Sequence, residues 1–383
     1  MAPRHLDRLS AIDASFLHQE GAVSHMHIGA LVRAAGPAPA YDDFLDSIRA
    51  RLHYVPRYRQ RLVYPPAGTG RPLWADDADF NLEYHVRHTA LPTPGSDEQL
   101  KNLAARVFSQ QLDRSKPLWE LWLVEGLADG GFALLSKSHH AMIDGIAGVD
   151  LGTVLFDLGP EGRPPEEGLE PWMPDPAPSP LDLLTAGITG MTKATLGVAA
   201  KALGSLSRPE RALEDAKVKV EGIGEIVWAA ANPAPASPLN VEIGPHRRFT
   251  GVACDLPDFK AVKNAFGGTV NDVVLAVVAG ALRSWLQSRG PRINFSTRLF
   301  NLLVTNVPGP QFPLYIQGRK MSSVFPIAFL PSNHALAIAI MSYDGHMNFG
   351  LLGDYDAMYD LDDFGHAIES ALADLVSLAA ATV

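Results

Sequence analysis

Apolar positions change their period several times along the chain, and each change predicts an element. Leu45, Ile48 and Leu52 recur at helical spacing, as do Leu100, Leu103 and Val107, so both stretches read as amphipathic helices. Ser10 with Asp13 resembles a capping box, and it opens a further helix that carries Ile12, Phe16 and Leu17. Trp119 to Val124 and Phe132 to Leu135 are short apolar runs and read as strands. Ala128-Asp129-Gly130-Gly131 between them has the chemistry of a tight turn, so the two should pair as a hairpin.

Beyond residue 158 the pattern lapses. Gly159 to Pro180 is rich in Pro, with Glu and Gly, supports neither helix nor sheet, and reads as an interdomain linker. Leu181 to Leu206 then places Leu184, Ile188, Met191 and Val198 on one side of a low-charge stretch. About 20 apolar residues cross a bilayer. Lys193, Lys201 and four glycines fit better with a helix lying in the headgroup plane, with packing on the protein's own core as an equal alternative. The pattern resumes near His246, with a strand from Phe249 to Leu256, a short helix from Pro257 to Phe266 and a strongly apolar helix from Asn271 to Leu286. Strands follow over Leu302 to Asn306, Ala335 to Ser342 and Asn348 to Leu352, and a closing helix runs from Leu361 to about Leu378. The chain thus divides into an N-terminal domain (1–158), a crossover (159–245) and a C-terminal domain (246–383), of mixed α/β class.

With 383 residues, 47% of them hydrophobic, the chain can bury two cores. A net charge of −10 argues against a nucleic-acid binder, because phosphate binding depends on clustered Lys and Arg. The single cysteine, Cys254, excludes an intramolecular disulfide and lacks a nucleophile's neighbours, so it reads as a small apolar residue. Met1 to Ser10 contains no apolar h-region, from which cytoplasmic synthesis is expected.

The densest chemistry lies where the second hairpin strand ends. Ser136-Lys137-Ser138-His139-His140-Ala141-Met142-Ile143-Asp144-Gly145 joins two adjacent histidines to a carboxylate four residues beyond the second and then a glycine. Ile146, Val149 and Leu155 recur at roughly helical spacing, so this is a strand-to-helix junction. Successive strand residues point to opposite faces, so one histidine should be catalytic and the other structural. Asp144 falls at the first turn of the following helix, where the macrodipole favours an ionised carboxylate, making it a poor acid and a good orienting anion. Gly145 permits the close backbone approach or positive φ of a tight junction. A lone histidine beside an apolar run is usually a satisfied core residue, but a pair with Asp and Gly at this spacing is far rarer. A metal site is disfavoured because no HExxH places two ligands on one helix face, and GxSxG, Walker and Rossmann signatures are also absent.

The arrangement matches the HHxxxDG motif of the CoA-dependent acyltransferase superfamily, which includes chloramphenicol acetyltransferase-like enzymes, condensation domains and wax ester synthases. Other segments place it more finely. These are Leu9-Ser10-Ala11-Ile12-Asp13-Ala14-Ser15-Phe16-Leu17 with Met26-His27-Ile28-Gly29, Pro117-Leu118-Trp119-Glu120, Thr269-Val270-Asn271-Asp272-Val273-Val274-Leu275-Ala276, and Thr305-Asn306-Val307-Pro308-Gly309-Pro310. In this order, over nearly the whole chain, they resemble the bacterial wax ester synthase/diacylglycerol acyltransferase family.

The resemblance implies a two-domain chloramphenicol acetyltransferase-like α/β fold. It implies direct transfer of a long-chain acyl group from acyl-CoA to diacylglycerol or a long-chain alcohol, with acyl-CoA as co-substrate, no bound cofactor and no metal. His140 would be the general base, suited by a histidine's ordinary pKa of about 6.5. His139, Asp144 and Gly145 would shape the junction, Asp144 through an ion pair with an arginine that the sequence does not identify. Asn271 in ordinary use caps its helix, and the resemblance adds an amide near the acyl carbonyl as oxyanion donor, with a backbone N–H as the alternative. Pro117, Leu118 and Trp119 would line the acceptor side, although an aromatic beside a strand is more often core, and Thr305 and Asn306 would contact substrate. Basic clusters at Arg57-Tyr58-Arg59-Gln60-Arg61 and His246-Arg247-Arg248 would meet the phosphates of CoA or a lipid head group, or equally be solvated faces. The expected location is cytoplasmic, peripheral to the inner membrane face or to lipid inclusions.

One departure stands out. Family members carry several dozen more residues between Arg289 and Phe295, where Arg289-Gly290-Pro291-Arg292-Ile293-Asn294 passes straight through and shortens the C-terminal domain. Two alternatives stand beside the main reading, the first from the shared motif and the second from this departure and the candidate interfacial helix. One is transfer to a polyketide diol or a carrier-bound acceptor, and the other is a lipid-surface binding protein of the same fold without turnover.

Overall fold

The computed structural model of the chain describes residues 7–142, 151–162, 171–186, 189, 237–289 and 301–382. The strands are β1 (His27–Ala34), β2 (Gln60–Val63), β3 (Leu73–Asp76), β4 (Val86–Ala90), β5 (Trp119–Glu125), β6 (Phe132–His139), β7 (Arg247–Asp255), β8 (Leu303–Val307), β9 (Tyr315–Ile316), β10 (Arg319–Ile327), β11 (Leu336–Tyr343) and β12 (His346–Asp354). The helices are α1 (Ala11–Gln19), α2 (Tyr41–Arg51), α3 (Leu82–His85), α4 (Asp97–Ser109), α5 (Leu151–Leu155), α6 (Leu256–Phe266), α7 (Val270–Arg289) and α8 (Leu361–Thr382).

Periodicity translates into structure where one face is buried. Phe44, Leu45 and Ile48 of α2 and Leu100, Leu103 and Val107 of α4 point inward. Ser96 and Gln99 close a full capping box on α4. On α1, Ser10 accepts from the Asp13 N–H at 3.0 Å as expected, but Ile12 is 72% exposed. The inward face of α1 is instead Ala14 and Leu17. The Pro-rich stretch from 171 to 179 carries no helix or strand, and residues 163–170 lie outside the described residues. So does most of the candidate interfacial helix over 181–206, as does the shortened segment at 290–294.

Two large sheets face each other, and β2 with β3 forms a separate two-stranded one. The first runs β4-β5-β6-β1-β10-β9 and the second β7-β12-β11-β8. β5 and β6 pair antiparallel, as the turn chemistry predicts. β1 lies against β6 on one side and against β10 on the other, so a strand from the C-terminal half completes the N-terminal sheet. At Gly350 on β12 a Cβ would stand 1.7 Å from the Pro326 carbonyl oxygen of β10, so the two sheets meet where only glycine fits.

Three cores follow from this layout. One fills the N-terminal half around Phe44, Trp119 and Phe132, and a second packs α7 and α8 on the second sheet around Val274, Phe349 and Phe364. The third joins the halves, with Leu103 and Phe108 of α4 meeting Phe249, Ile327 and Leu352. Polar ties cross the same seam. Lys101 lies 2.6 Å from Asp362, which also accepts from Thr250, and the Arg247 N–H donates to Ser109. Among the described residues no single helix is long and apolar enough to cross a membrane.

Candidate active site

The end of β6 is anchored on both sides before the histidines are reached. The His139 N–H donates to the Leu118 carbonyl at 2.9 Å and the His140 N–H to the Met26 carbonyl at 2.8 Å. Two residues earlier, the fully buried Lys137 ammonium donates to the Val107 and Gln110 carbonyls at the C-terminal end of α4. Burial pushes that lysine down to about 8. Gly29 of β1 lies directly over this ladder, where a Cβ would stand 1.9 Å from the Ser136 carbonyl oxygen.

The strand ends at His139, and His140 opens a short 3-10 turn through Met142. The two side chains therefore enter different surroundings. His139 is buried, with its Nδ1 accepting from the Ala141 N–H at 3.0 Å and its Nε2 3.3 Å from the Glu20 carboxylate. The other oxygen of Glu20 lies 3.4 Å from Nε2 of His27, the residue opposite His139 in the β1–β6 register. Arg114 donates to Glu20 and to the Leu17 carbonyl. Burial alone would raise the Glu20 carboxyl, but the His139 and His27 imidazoles and the Arg114 guanidinium overcome it and hold the group well below the usual carboxylate range. His27, itself desolvated and near Lys137, is pushed down to about 3 and stays neutral.

His140 is half-buried and has an apolar setting. Its ring stacks on Phe16 at 4.0 Å between centroids, and Phe329 stands edge-on at 5.8 Å. Nδ1 is buried and makes no hydrogen bond to a described residue. Burial lowers the pKa of the ring below the ordinary histidine value, so the free base dominates at neutral pH.

Asn271 and Asn306 are brought together across 35 residues of sequence, with Asn306 Nδ2 donating to Asn271 Oδ1 at 3.0 Å. Both are exposed, and Thr305 beside them on β8 is half-buried. The capping role considered for Asn271 belongs instead to Thr269 and Asp272. The Thr269 hydroxyl accepts from the Asp272 N–H at 3.2 Å and the Asp272 carboxylate accepts from the Thr269 N–H at 2.7 Å. The helix starts one residue earlier than its apolar pattern predicts, which leaves the Asn271 side chain free of the cap.

Pro117, Leu118 and Trp119 are buried. The Trp119 indole donates to the Tyr58 carbonyl at 2.8 Å and stacks on His85, whose Nδ1 donates to the Trp119 carbonyl. Asp144 and Gly145 lie outside the described residues. Both basic clusters are engaged by the protein itself. Arg57 reaches Asp7, Arg59 covers the Trp172 ring, Arg61 lies 3.7 Å from Asp77, Arg247 binds three carbonyls, and Arg248 covers Tyr355. Burial pushes the Cys254 thiol up to about 12, as befits an inert core residue. Among the described residues no three His, Cys, Asp or Glu side chains are grouped to hold a metal ion. Glu20, Arg114 and Phe329 were not singled out by the sequence pattern. The pairing of β1 with β6, which sets His27 opposite His139, is the signal that leads to the first two.

Comparison with known proteins places the chain in a family and a fold. The family model described as wax ester synthase/diacylglycerol acyltransferase catalytic domain matches residues 9–274, and that of the corresponding C-terminal domain matches residues 257–376. A probable diacylglycerol O-acyltransferase of Mycobacterium tuberculosis, tgs1, is 30% identical over 468 residues, covering 97% of this chain and 96% of that protein. The alignment is longer than this chain of 383 residues, so the relative carries residues with no counterpart here. The solved wax ester synthase/diacylglycerol acyltransferase from Marinobacter aquaeolei VT8 superposes with a TM-score of 0.70 at 28% identity, covering 97% of this chain and 100% of that one. The starter condensation domain of rhizomide synthetase, solved with C8-CoA, shares the fold at a TM-score of 0.56 and 13% identity, covering 98% of this chain and 94% of that one. The fold is the two-domain chloramphenicol acetyltransferase-like one, and the chain belongs to the wax ester synthase/diacylglycerol acyltransferase family.

Proposed function

We propose that the chain transfers a long-chain acyl group from acyl-CoA to the hydroxyl of diacylglycerol or a long-chain alcohol, giving triacylglycerol or a wax ester, with His140 as the base. The observation that carries the reading is the split between the two histidines. His139 is fully buried, with Nδ1 taken by the Ala141 N–H and the Glu20 carboxylate 3.3 Å from Nε2, whereas His140 presents a neutral, half-exposed ring between two phenylalanines.

Nε2 of His140 takes the hydroxyl proton as the acceptor oxygen adds to the thioester carbonyl carbon. The carbonyl electrons move onto oxygen, and the oxyanion needs N–H donors. Asn271 Oδ1 is occupied by Asn306, which leaves Asn271 Nδ2 to donate. Collapse breaks the C–S bond, the departing thiolate takes the proton from the His140 imidazolium, and His140 returns to its free base without an acyl-enzyme. Asp144 serves in this reading as an orienting anion of the junction and Gly145 as its tight corner. Leu118 and Trp119 act as support, since the Leu118 carbonyl holds the His139 backbone. Acceptor and product are both lipids, so the protein works at a membrane face or lipid inclusion.

Purified protein given palmitoyl-CoA with hexadecanol or diacylglycerol tests this. Thiol release matched one-to-one by ester is expected, and competition between the acceptors ranks them. Lipid binding with no ester formed from either acceptor would sink the enzymatic reading in favour of a surface-binding protein.

A further inference from the structure

The loop that ends α1 holds both faces of the histidine junction at once. The Glu20 N–H donates to the Phe16 carbonyl, so the residue that approaches His139 is tied through the backbone to the ring that stacks on His140. Arg114 fastens the same corner, reaching the Glu20 carboxylate and the Leu17 carbonyl of the last α1 turn.

The Ala141 N–H on one side and the Glu20 carboxylate on the other together favour one position for the His139 proton. Nδ1 accepts that backbone N–H at 3.0 Å, so in the neutral ring the proton is on Nε2. Nε2 is buried and makes no aligned hydrogen bond to a described residue, but the Glu20 carboxylate stands 3.3 Å from it as an ion-pair neighbour. The opposite tautomer would set N–H against N–H at Ala141 and a lone pair against the carboxylate. Ala141 is the middle residue of the turn that begins with His140, so the tautomer of His139 fixes the backbone that aims the His140 ring.

We propose that Glu20 is a positioning residue for acyl transfer, acting through the tautomer of His139 and through α1 to hold the turn that carries His140. The proposal rests on the reading of His140 as base, but its first test does not need turnover. Imidazole ¹⁵N NMR of the wild-type protein, with His139 assigned through bonds from its own backbone resonances, should show His139 protonated on Nε2 and bare on Nδ1. A wild-type His139 protonated on Nδ1 overturns the proposal even if no variant folds.

Glu20→Gln keeps the shape and removes the anion. It should shift His139 toward a mixture of tautomers and lower kcat about 10- to 100-fold, by analogy with groups that orient metal-bound histidines from behind, with KM for palmitoyl-CoA within about twofold. Folding is checked by circular dichroism. A folded Glu20→Gln protein with wild-type kcat, or with lowered kcat and an unchanged His139 tautomer, overturns the proposal. Full activity in His140→Ala would instead remove the underlying reading and leave the NMR result standing.

Discussion

The histidine junction and the asparagine pair sit at opposite extremes of construction. At the first, a carboxylate and two imidazoles are packed together below the surface under a half-buried guanidinium, and each backbone N–H of the His139-His140 pair has a named carbonyl. At the second, two neutral amides meet in the open at the start of α7 and the edge of the second sheet, joined by a single hydrogen bond. A base must keep one direction and one protonation state, and buried charges enforce both at the risk of a large loss if one partner is removed. An oxyanion donor needs only a free N–H, which one neighbouring amide can orient.

The contrast breaks most visibly at His140. His140→Ala should lower kcat about 10²- to 10⁴-fold with the fold intact, read by thiol release and circular dichroism. The scaffold behind the junction should respond in stability instead. Trp119→Ala removes a fully buried indole and its bond to Tyr58, and should cost about 3–5 kcal/mol in denaturant titration, whereas Asn306→Ala at the exposed edge should stay within about 0.5 kcal/mol.

On the asparagine side, Asn271→Ala should lower kcat about 10- to 100-fold, less than the loss of a fully enclosed oxyanion donor because the site is open to water. Asn306→Ala should have a smaller effect that vanishes in an Asn271→Ala background, since Asn306 acts through Asn271. The smallest effect is in pH. Burial disfavours the His140 imidazolium, so its pKa falls and the acid limb of kcat/KM should have its midpoint below about 6.5. A midpoint at or above that value would show that the ring is better solvated during turnover.

How much of this was legible in the sequence differs between the same two regions. The β5–β6 hairpin and the α2 and α4 faces follow from local periodicity and turn chemistry, so the position of the histidines at a strand end was readable. Glu20 was not. In Gln19-Glu20-Gly21 it has the look of a solvated residue, and its partner Arg114 is 94 residues away. β10 was missed for a related reason. Arg319–Ile327 mixes polar residues with apolar ones and contains Pro326, and its identity as a strand comes from β1, some three hundred residues earlier. The Asn271 side chain stood between two roles until the Thr269–Asp272 cap removed one of them.

The insertion of β10 beside β1 has a consequence for how the protein is made. On the ribosome, β1, β5 and β6 emerge early, but the edge of β1 from Gly29 to Ala34 stays bare until residues 321–327 have been translated. An unpaired edge is a template for strand addition. The nascent sheet that will carry the His139-His140 pair therefore waits, open to other chains or to chaperones, for most of the length of synthesis. Translation stalled shortly before Arg319 should yield aggregates, while release of the full-length chain should not.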